Sequence, residues 1–276
     1  LFDIEQIEVL RGPQGALYGR NAIGGAITST TKAPSEETEG QIQLGYESAP
    51  GFSVKGYVGG PLNADGTATY RLAASFIDHD GYLENAYLNE NADPYRDQSV
   101  RGRVNWEVND RFSTDFRVSF SSLDTQAFHF VLDDSADAVD KPIQNNNPGN
   151  NERDFTSASF KFDYDMDFAT LTGITSYDDV SEVSSGDNVF FLPPEHPENY
   201  WNYDFFFGCL RGGGAVPGCE FLAGFPGTQD EFIDLSQNQY LEVESWSQEI
   251  RLTSNDDAGI RWTVGAYAVA TDRYIS

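Results

Sequence analysis

The sequence predicts an all-β protein of about nine up-and-down antiparallel strands, entered through a short glycine-rich unit, with a transmembrane antiparallel β-barrel the architecture its pattern favours. Three observations predict it. Apolar and polar residues alternate with a period of two over segments of about ten residues. The connections between those segments alternate between short turns and long polar loops. The first 34 residues differ from the rest, being dense in glycine and neutral in charge.

The alternation is clearest where Val100, Gly102, Val104, Trp106 and Val108 stand against Arg101, Arg103, Asn105 and Glu107. Phe112, Thr114, Phe116, Val118 and Phe120 oppose Ser113, Asp115, Arg117, Ser119 and Ser121 in the same way. Ile42, Leu44 and Tyr46 share a face opposite Gln41 and Gln43, and Tyr70, Leu72, Ala74 and Phe76 oppose Thr69, Arg71 and Ser75. Successive side chains of a strand point to opposite faces, so each segment would build one apolar and one polar face. Strands are expected near 41–47, 52–60, 67–78, 98–108, 112–122, 155–164, 168–178, 244–254 and 260–271. Composition agrees: 14% aromatic residues, 26 glycines and a single methionine favour strands and turns over helices. No apolar run approaches the ~20 residues of a spanning helix, which excludes a helical membrane protein.

Short turns are expected at Leu62–Gly66, Asn109–Arg111, Asp165–Asp167 and Asn255–Gly259. Long connections fall at His79–Asp97, Leu123–Asp154 and Val180–Val243, and only Ser48–Gly51 is short where a long loop is due. Structureless loops of that length are foreign to an ordinary compact domain. Short turns on one rim and long loops on the other are the habit of outer-membrane barrels, and ten-residue strands fit the tilted span. A soluble sandwich would share the alternation, with its apolar face on a partner sheet, so alternation alone leaves both readings open.

The opening carries a denser signal. Ile4-Glu5-Gln6-Ile7-Glu8-Val9-Leu10 leads into Arg11-Gly12-Pro13, then Leu17-Tyr18-Gly19, then Gly24-Gly25-Ala26-Ile27. In order and spacing this run resembles the C-terminal plug motif of TonB-dependent outer-membrane receptors. Ser247–Leu252 and Arg261–Tyr267 resemble barrel-strand phrases of that family, whereas the long loops resemble nothing specific. The resemblance implies that residues 1–34 are the end of a plug domain, 35–39 a linker and 40–276 the N-terminal portion of a barrel. Barrels of such transporters have roughly 22 strands, so about nine cannot close one. Open edges cannot face lipid, and the sequence is therefore expected to be a fragment lacking the early plug and most of the barrel.

The resemblance also implies a function: TonB-dependent active transport of a scarce nutrient across the bacterial outer membrane. The cargo classes are siderophore-iron, cobalamin, haem or oligosaccharide. The implied partners are the TonB complex, reached through the missing N-terminal part, the outer-membrane lipid and lipopolysaccharide, and a small-molecule cargo. No enzyme chemistry, cofactor or metal is implied. The motif residues are Arg11, Gly12, Pro13, Gly15, Tyr18, Gly19, Gly24 and Gly25. The arginine of this motif can pair with barrel-wall glutamates in the family, which makes Arg11 and Glu249 a candidate plug–barrel latch. The plain alternative is that Arg11 meets only carbonyls and water.

Other features are read from the residues alone. Cys209 and Cys219 bracket a glycine-rich loop and suit a local disulfide outside the cytosol, with two free thiols the alternative. Trp201, Tyr203 and Phe205, beside Phe206 and Phe207, are candidates for stacking on a cargo, or form the small core of their own loop. Asp163, Asp165 and Asp167 resemble the start of a calcium loop, but Phe168 and Ile174 replace its glycine and bidentate glutamate, so a polar hairpin turn is expected.

The net charge of −27 argues against nucleic acid as a partner. Within the three long connections lie 22 acidic and 4 basic residues. An acidic mouth would favour neutral or cationic cargo and could hold divalent ions bridging to lipopolysaccharide, or simply keep the surface solvated. The competing functional classes are a secreted β-rich hydrolase or adhesin, which leaves the glycine-rich opening unexplained, and a passive porin, which has no plug.

Overall fold

In a computed structural model, the protein is described over residues 2–15, 22–48, 50–86, 88–126, 147–187, 236–255 and 259–276. The elements are β1 (Ile4–Arg11), β2 (Gly25–Thr31), β3 (Glu39–Glu47), β4 (Gly51–Pro61), β5 (Ala68–His79), β6 (Glu84–Asn85), β7 (Glu90–Asn91), β8 (Tyr95–Asn109), β9 (Phe112–Thr125), β10 (Asn150–Met166), β11 (Ala169–Asp187), β12 (Ser236–Ser254) and β13 (Thr263–Ile275). Among the described residues no helix is long and apolar enough to cross a membrane. Nine strands form one sheet in the order β3-β4-β5-β8-β9-β10-β11-β12-β13, each antiparallel to its neighbours. These are the nine strands expected from the alternation, paired up-and-down. β1 and β2 form a separate antiparallel hairpin, and β6 and β7 a small one between β5 and β8.

Two expectations about the long connections are corrected. β10, β11 and β12 run for 17, 19 and 19 residues, far past the predicted ten, and their pairing continues to Asp187↔Ser236. The extensions carry Asp154, Asp179, Ser181, Glu242 and Glu244 on the face that is apolar lower down. Backbone pairing persists there without the apolar alternation that marks a strand in sequence. The connection after His79 is likewise partly ordered: the Asp93 carboxylate accepts from the backbone N–H groups of Tyr82 (2.8 Å) and Leu83 (2.7 Å). On the opposite rim the turns are short, and Arg111 of the β8–β9 turn pairs with Asp167 of the β10–β11 turn at 2.8 Å.

The nine-stranded sheet has no dry core. Ala73, Ala92 and Ala169 are the buried apolar residues among those described. Registers place Val54, Leu72, Val100, Phe116, Phe160, Trp246 and Ile250 on one face, all between 42% and 52% exposed. A soluble sandwich buries that face against a second sheet. Here these residues are left half exposed on an open face, the kind of apolar surface that soluble monomers avoid. Aromatic rings edge it on both sides. Trp106, Phe112, Phe162 and Tyr164 lie toward the short turns, with Phe112 6.0 Å from Phe162. Phe52 and Phe76 (5.5 Å) and Tyr177 and Trp246 (4.6 Å) lie toward the long connections. Phe112 to Phe120 is about 27 Å of strand at ~3.4 Å per residue. Tilted by ~40°, that covers roughly 20 Å of the ~25 Å band of an outer-membrane wall.

Candidate functional site

The opposite face is charged, and the N-terminal hairpin is tied to it. Arg71 projects from β5 on this face and is 4% exposed. Its Nε and Nη2 donate to Oδ2 and Oδ1 of Asp3 at 2.8 and 2.6 Å, and its Nη1 donates to Glu39 Oε1 at 2.6 Å. The guanidinium carbon lies 4.1 Å from the centroid of the Tyr57 ring, and Phe2 packs 6.4 Å from the same ring. Arg71 therefore spends its donors on two carboxylates and its face on an aromatic, the combination a planar cation serves best.

Asp3 is held from three directions. Its carboxylate takes Arg71, and its carbonyl accepts from the backbone N–H of Lys32 (3.3 Å) and from Arg101 Nη2 (3.4 Å). The same Arg101 nitrogen donates to the carbonyl of Phe2. Asp3 adopts φ of 56°, in the left-handed region that aspartate tolerates better than most residues. Strain of this kind persists where surrounding contacts over-determine the backbone.

The arginines form a pattern visible only in the register. Arg71 is opposite Arg103, which is opposite Arg117, so three arginines stand side by side on β5, β8 and β9. Arg101 lies one position pair further along the same face, between Ala73 and Ser119. Asp115 accepts from Arg103 (Nη2, 2.9 Å) and Arg117 (Nη2, 2.6 Å). Arg101 and Lys32 form no ion pair among the described residues. Between this wall and the end of β2 is a cavity of about 360 Å³, lined by the four arginines, Lys32, Asp3 and serine and threonine hydroxyls.

The expected motif residues fall on the hairpin. Arg11 pairs with Gly25, Gly12 N–H donates to Gly24 carbonyl (3.2 Å), and Gln14 N–H donates to Ala22 carbonyl (2.8 Å). Gly12 has φ of 83°. Gly25 has φ of 150°, and a Cβ there would come within 2.4 Å of the Leu10 carbonyl oxygen. Gly15 and Gly24 face open space. Pro13 lies where the chain leaves β1, while Tyr18 and Gly19 lie outside the described residues, as do Trp201, Tyr203, Phe205, Cys209 and Cys219.

The Arg11–Glu249 contact is not made. Among the described residues Arg11 forms no ion pair, and Glu249 is bound by Arg251 of its own strand at 3.0 Å. Glu249 has a nearer partner in Arg251, and the hairpin segment's side-chain ties to the sheet run to β5 and β8, through Arg71 and Arg101. The tie that exists has the reverse polarity, with the acid on the hairpin and the arginine on the wall. The aspartates at the β10–β11 turn are engaged by protein groups: Asp163 accepts from Thr172 Oγ1 (2.6 Å) and pairs with Lys161 (2.8 Å).

Sequence reasoning missed Asp3, Arg71 and Arg101. The available signal was four arginines on the polar faces of three neighbouring strands in a strongly acidic chain. Only cross-strand register turns that into one patch.

Comparison with known proteins finds similarities to both parts of the chain. Residues 1–26 match the family model of the TonB-dependent receptor plug domain. The vitamin B12 transporter BtuB of Vibrio vulnificus is 36% identical over 120 residues, which cover 42% of this chain and 19% of that protein. The probable TonB-dependent siderophore receptor PirA of Acinetobacter baumannii is 33% identical over 120 residues, covering 39% of this chain and 16% of the relative. The crystal structure of the ferric yersiniabactin uptake receptor FyuA from Yersinia pestis superposes with a TM-score of 0.71 at 18% identity, covering 100% of this chain and 37% of that one. The chain thus spans about a third of the length of that solved receptor.

Proposed function

We propose that this chain, which belongs to the TonB-dependent receptor family of the bacterial outer membrane, serves energised uptake of a scarce small-molecule nutrient. On this reading residues 1–34 end the plug, 35–39 link, and 40–276 form barrel wall. The observation that carries the reading is the division of labour between the two faces of one sheet. One face is apolar, unburied and edged by aromatic rings, as lipid requires. The other is charged and holds a glycine-rich hairpin by Asp3, Arg71 and Arg101. A hydrolase has no use for such a stopper, and a passive pore would be obstructed by it.

The chemistry is transport without covalent steps. Breaking the Asp3–Arg71 contact gives up hydrogen bonds between charged groups, on the order of 1.5–3 kcal/mol, although Arg71 keeps Glu39. Within an assembled barrel it would hold the plug until an external pull supplies that work. The TonB complex is the partner this reading implies for the pull, and the cargo class is a siderophore chelate, cobalamin, haem or an oligosaccharide.

The test uses the full-length gene. A deletion strain is compared with wild type for uptake of labelled members of those four classes, with and without a functional TonB complex. The expected result is loss of one uptake activity on deletion, and the same loss when TonB is inactivated. Uptake that persists without TonB would point to a passive pore. Carbohydrate cleavage by a soluble form would point to a secreted hydrolase.

A further inference from the structure

We infer that the charged face of β5, β8 and β9 is a binding site for an anionic group of the cargo, a carboxylate or phosphate, which Asp3 masks at rest. The inference rests on the transport reading for the word cargo, but the site itself is open to test without it.

The argument begins with a cost. Like charges directly opposite in a sheet destabilise it, yet Arg71, Arg103 and Arg117 are cross-strand neighbours in one row. Asp3, Glu39 and Asp115 are the carboxylates that bind these arginines. With Arg101 and Lys32, which form no ion pair among the described residues, five cations line the cavity, and Asp3 is the acid that lines it with them. A surplus of fixed cations at a walled cavity, in a chain of net charge −27, is an anion site by electrostatics. Arginine forks suit carboxylate and phosphate in particular.

A second cavity, of about 300 Å³, adjoins the first toward the long-connection rim. Phe2, Ile77, Tyr95 and Phe155 give it apolar and aromatic walls beside one acid, Asp97, and it shares Ala73, Arg101 and Ser119 with the basic cavity. A molecule entering from the long-loop side would meet a ring-lined chamber first and the arginines next, with Arg101 between them. The acidic long connections disfavour a cargo that is strongly anionic overall. The group recognised is thus one carboxylate or phosphate on a neutral or zwitterionic molecule with an apolar face.

Masking follows from who holds the arginines. The bidentate partner of Arg71 is the Asp3 carboxylate, and the contacts of Arg101 are the carbonyls of Phe2 and Asp3. Two consecutive residues of the plug segment therefore occupy both guanidiniums. Drawing that segment away releases both together, so the site would gain anion affinity as the plug moves.

The experiment titrates purified full-length receptor in detergent with inorganic phosphate by calorimetry. Asp3→Asn is expected to bind phosphate at least about tenfold more tightly than wild type, since a competing internal anion is removed, and adding Arg101→Gln is expected to abolish the gain. Equal affinities, or a gain that survives Arg101→Gln, overturn the inference. Heat-modifiable gel mobility establishes that each variant is folded. Should Asp3→Asn not fold, selenate soaked into crystals of the Asp3→Ser receptor decides the matter: anomalous density among Arg101, Arg103 and Arg117 supports the site, and an empty cavity overturns it. Phosphate binding here by a receptor that imports nothing would leave the site standing and sink the transport reading instead.

Discussion

Asp3 and Arg71 are 68 positions apart and meet through two parallel hydrogen bonds of 2.6 and 2.8 Å, with 3% of each side chain exposed. The pair joins a hairpin to a wall that shares no sheet with it. With the Arg101 contacts to the Phe2 and Asp3 carbonyls, it ties the hairpin to the sheet.

Removing one partner is expected to be worse than removing both. Asp3→Ala leaves Arg71 with Glu39 as its remaining carboxylate and should weaken the joint by about 1.5–3 kcal/mol, the worth of hydrogen bonds to a charged group. Asp3→Leu combined with Arg71→Met should recover much of that, because neither charge remains to be buried. Single-molecule pulling on the N-terminal side of the plug in the full-length receptor reads the difference as a lowered, then partly restored, detachment force. Equal forces in all three proteins would show that the pair does not hold the hairpin.

Gly25→Ala and Gly24→Ala should separate two neighbouring glycines. At Gly25 a Cβ would press within 2.4 Å of a backbone oxygen at a φ of 150°, whereas Gly24 faces open space. Strain of about 1–3 kcal/mol is expected at the first, and the second should be near neutral. Hydrogen exchange of the β1–β2 amides in the full-length receptor measures it: faster exchange in Gly25→Ala and wild-type protection in Gly24→Ala. Matching behaviour of the two variants would contradict the hairpin geometry.

A charge on the apolar face should be penalised and one on the charged face tolerated. Phe116→Arg and Ser119→Arg lie three positions apart on β9 with opposite facing. The first should cost about 2–4 kcal/mol of folding stability in lipid, and the second well under half of that. Guanidinium unfolding of the full-length receptor in bilayer vesicles provides the comparison. A larger penalty for Ser119→Arg would reverse the assignment of the faces.

Much of the wall was legible in sequence, and for a physical reason. Val100 to Val108 and Phe112 to Phe120 alternate because each strand meets lipid on one side and polar surroundings on the other. The signal fades where that contrast fades. Asp154, Asp179 and Glu244 sit on the outward face beyond the apolar band, so the upper halves of β10, β11 and β12 read as loop although their backbones pair. The hairpin motif was legible through Gly12 and Gly25, whose backbone angles demand glycine. Its attachment was not. Asp3–Arg71 depends on where the hairpin lands on the wall, and Arg71–Arg103–Arg117 depends on strand register. Neither leaves a trace in the local order of residues.

The most direct test is of the two-faced wall itself. Single spin labels at positions 100, 101, 116 and 117 of the full-length receptor, in lipid vesicles and with Cys209 and Cys219 changed to serine, are probed for collisions with oxygen and with a polar nickel chelate. Positions 100 and 116 should favour oxygen and exclude the chelate, and positions 101 and 117 should show the opposite preference or protection by the plug. Chelate access to positions 100 and 116, or protection of those two positions from both reagents by packed protein, would contradict a wall set between lipid and lumen.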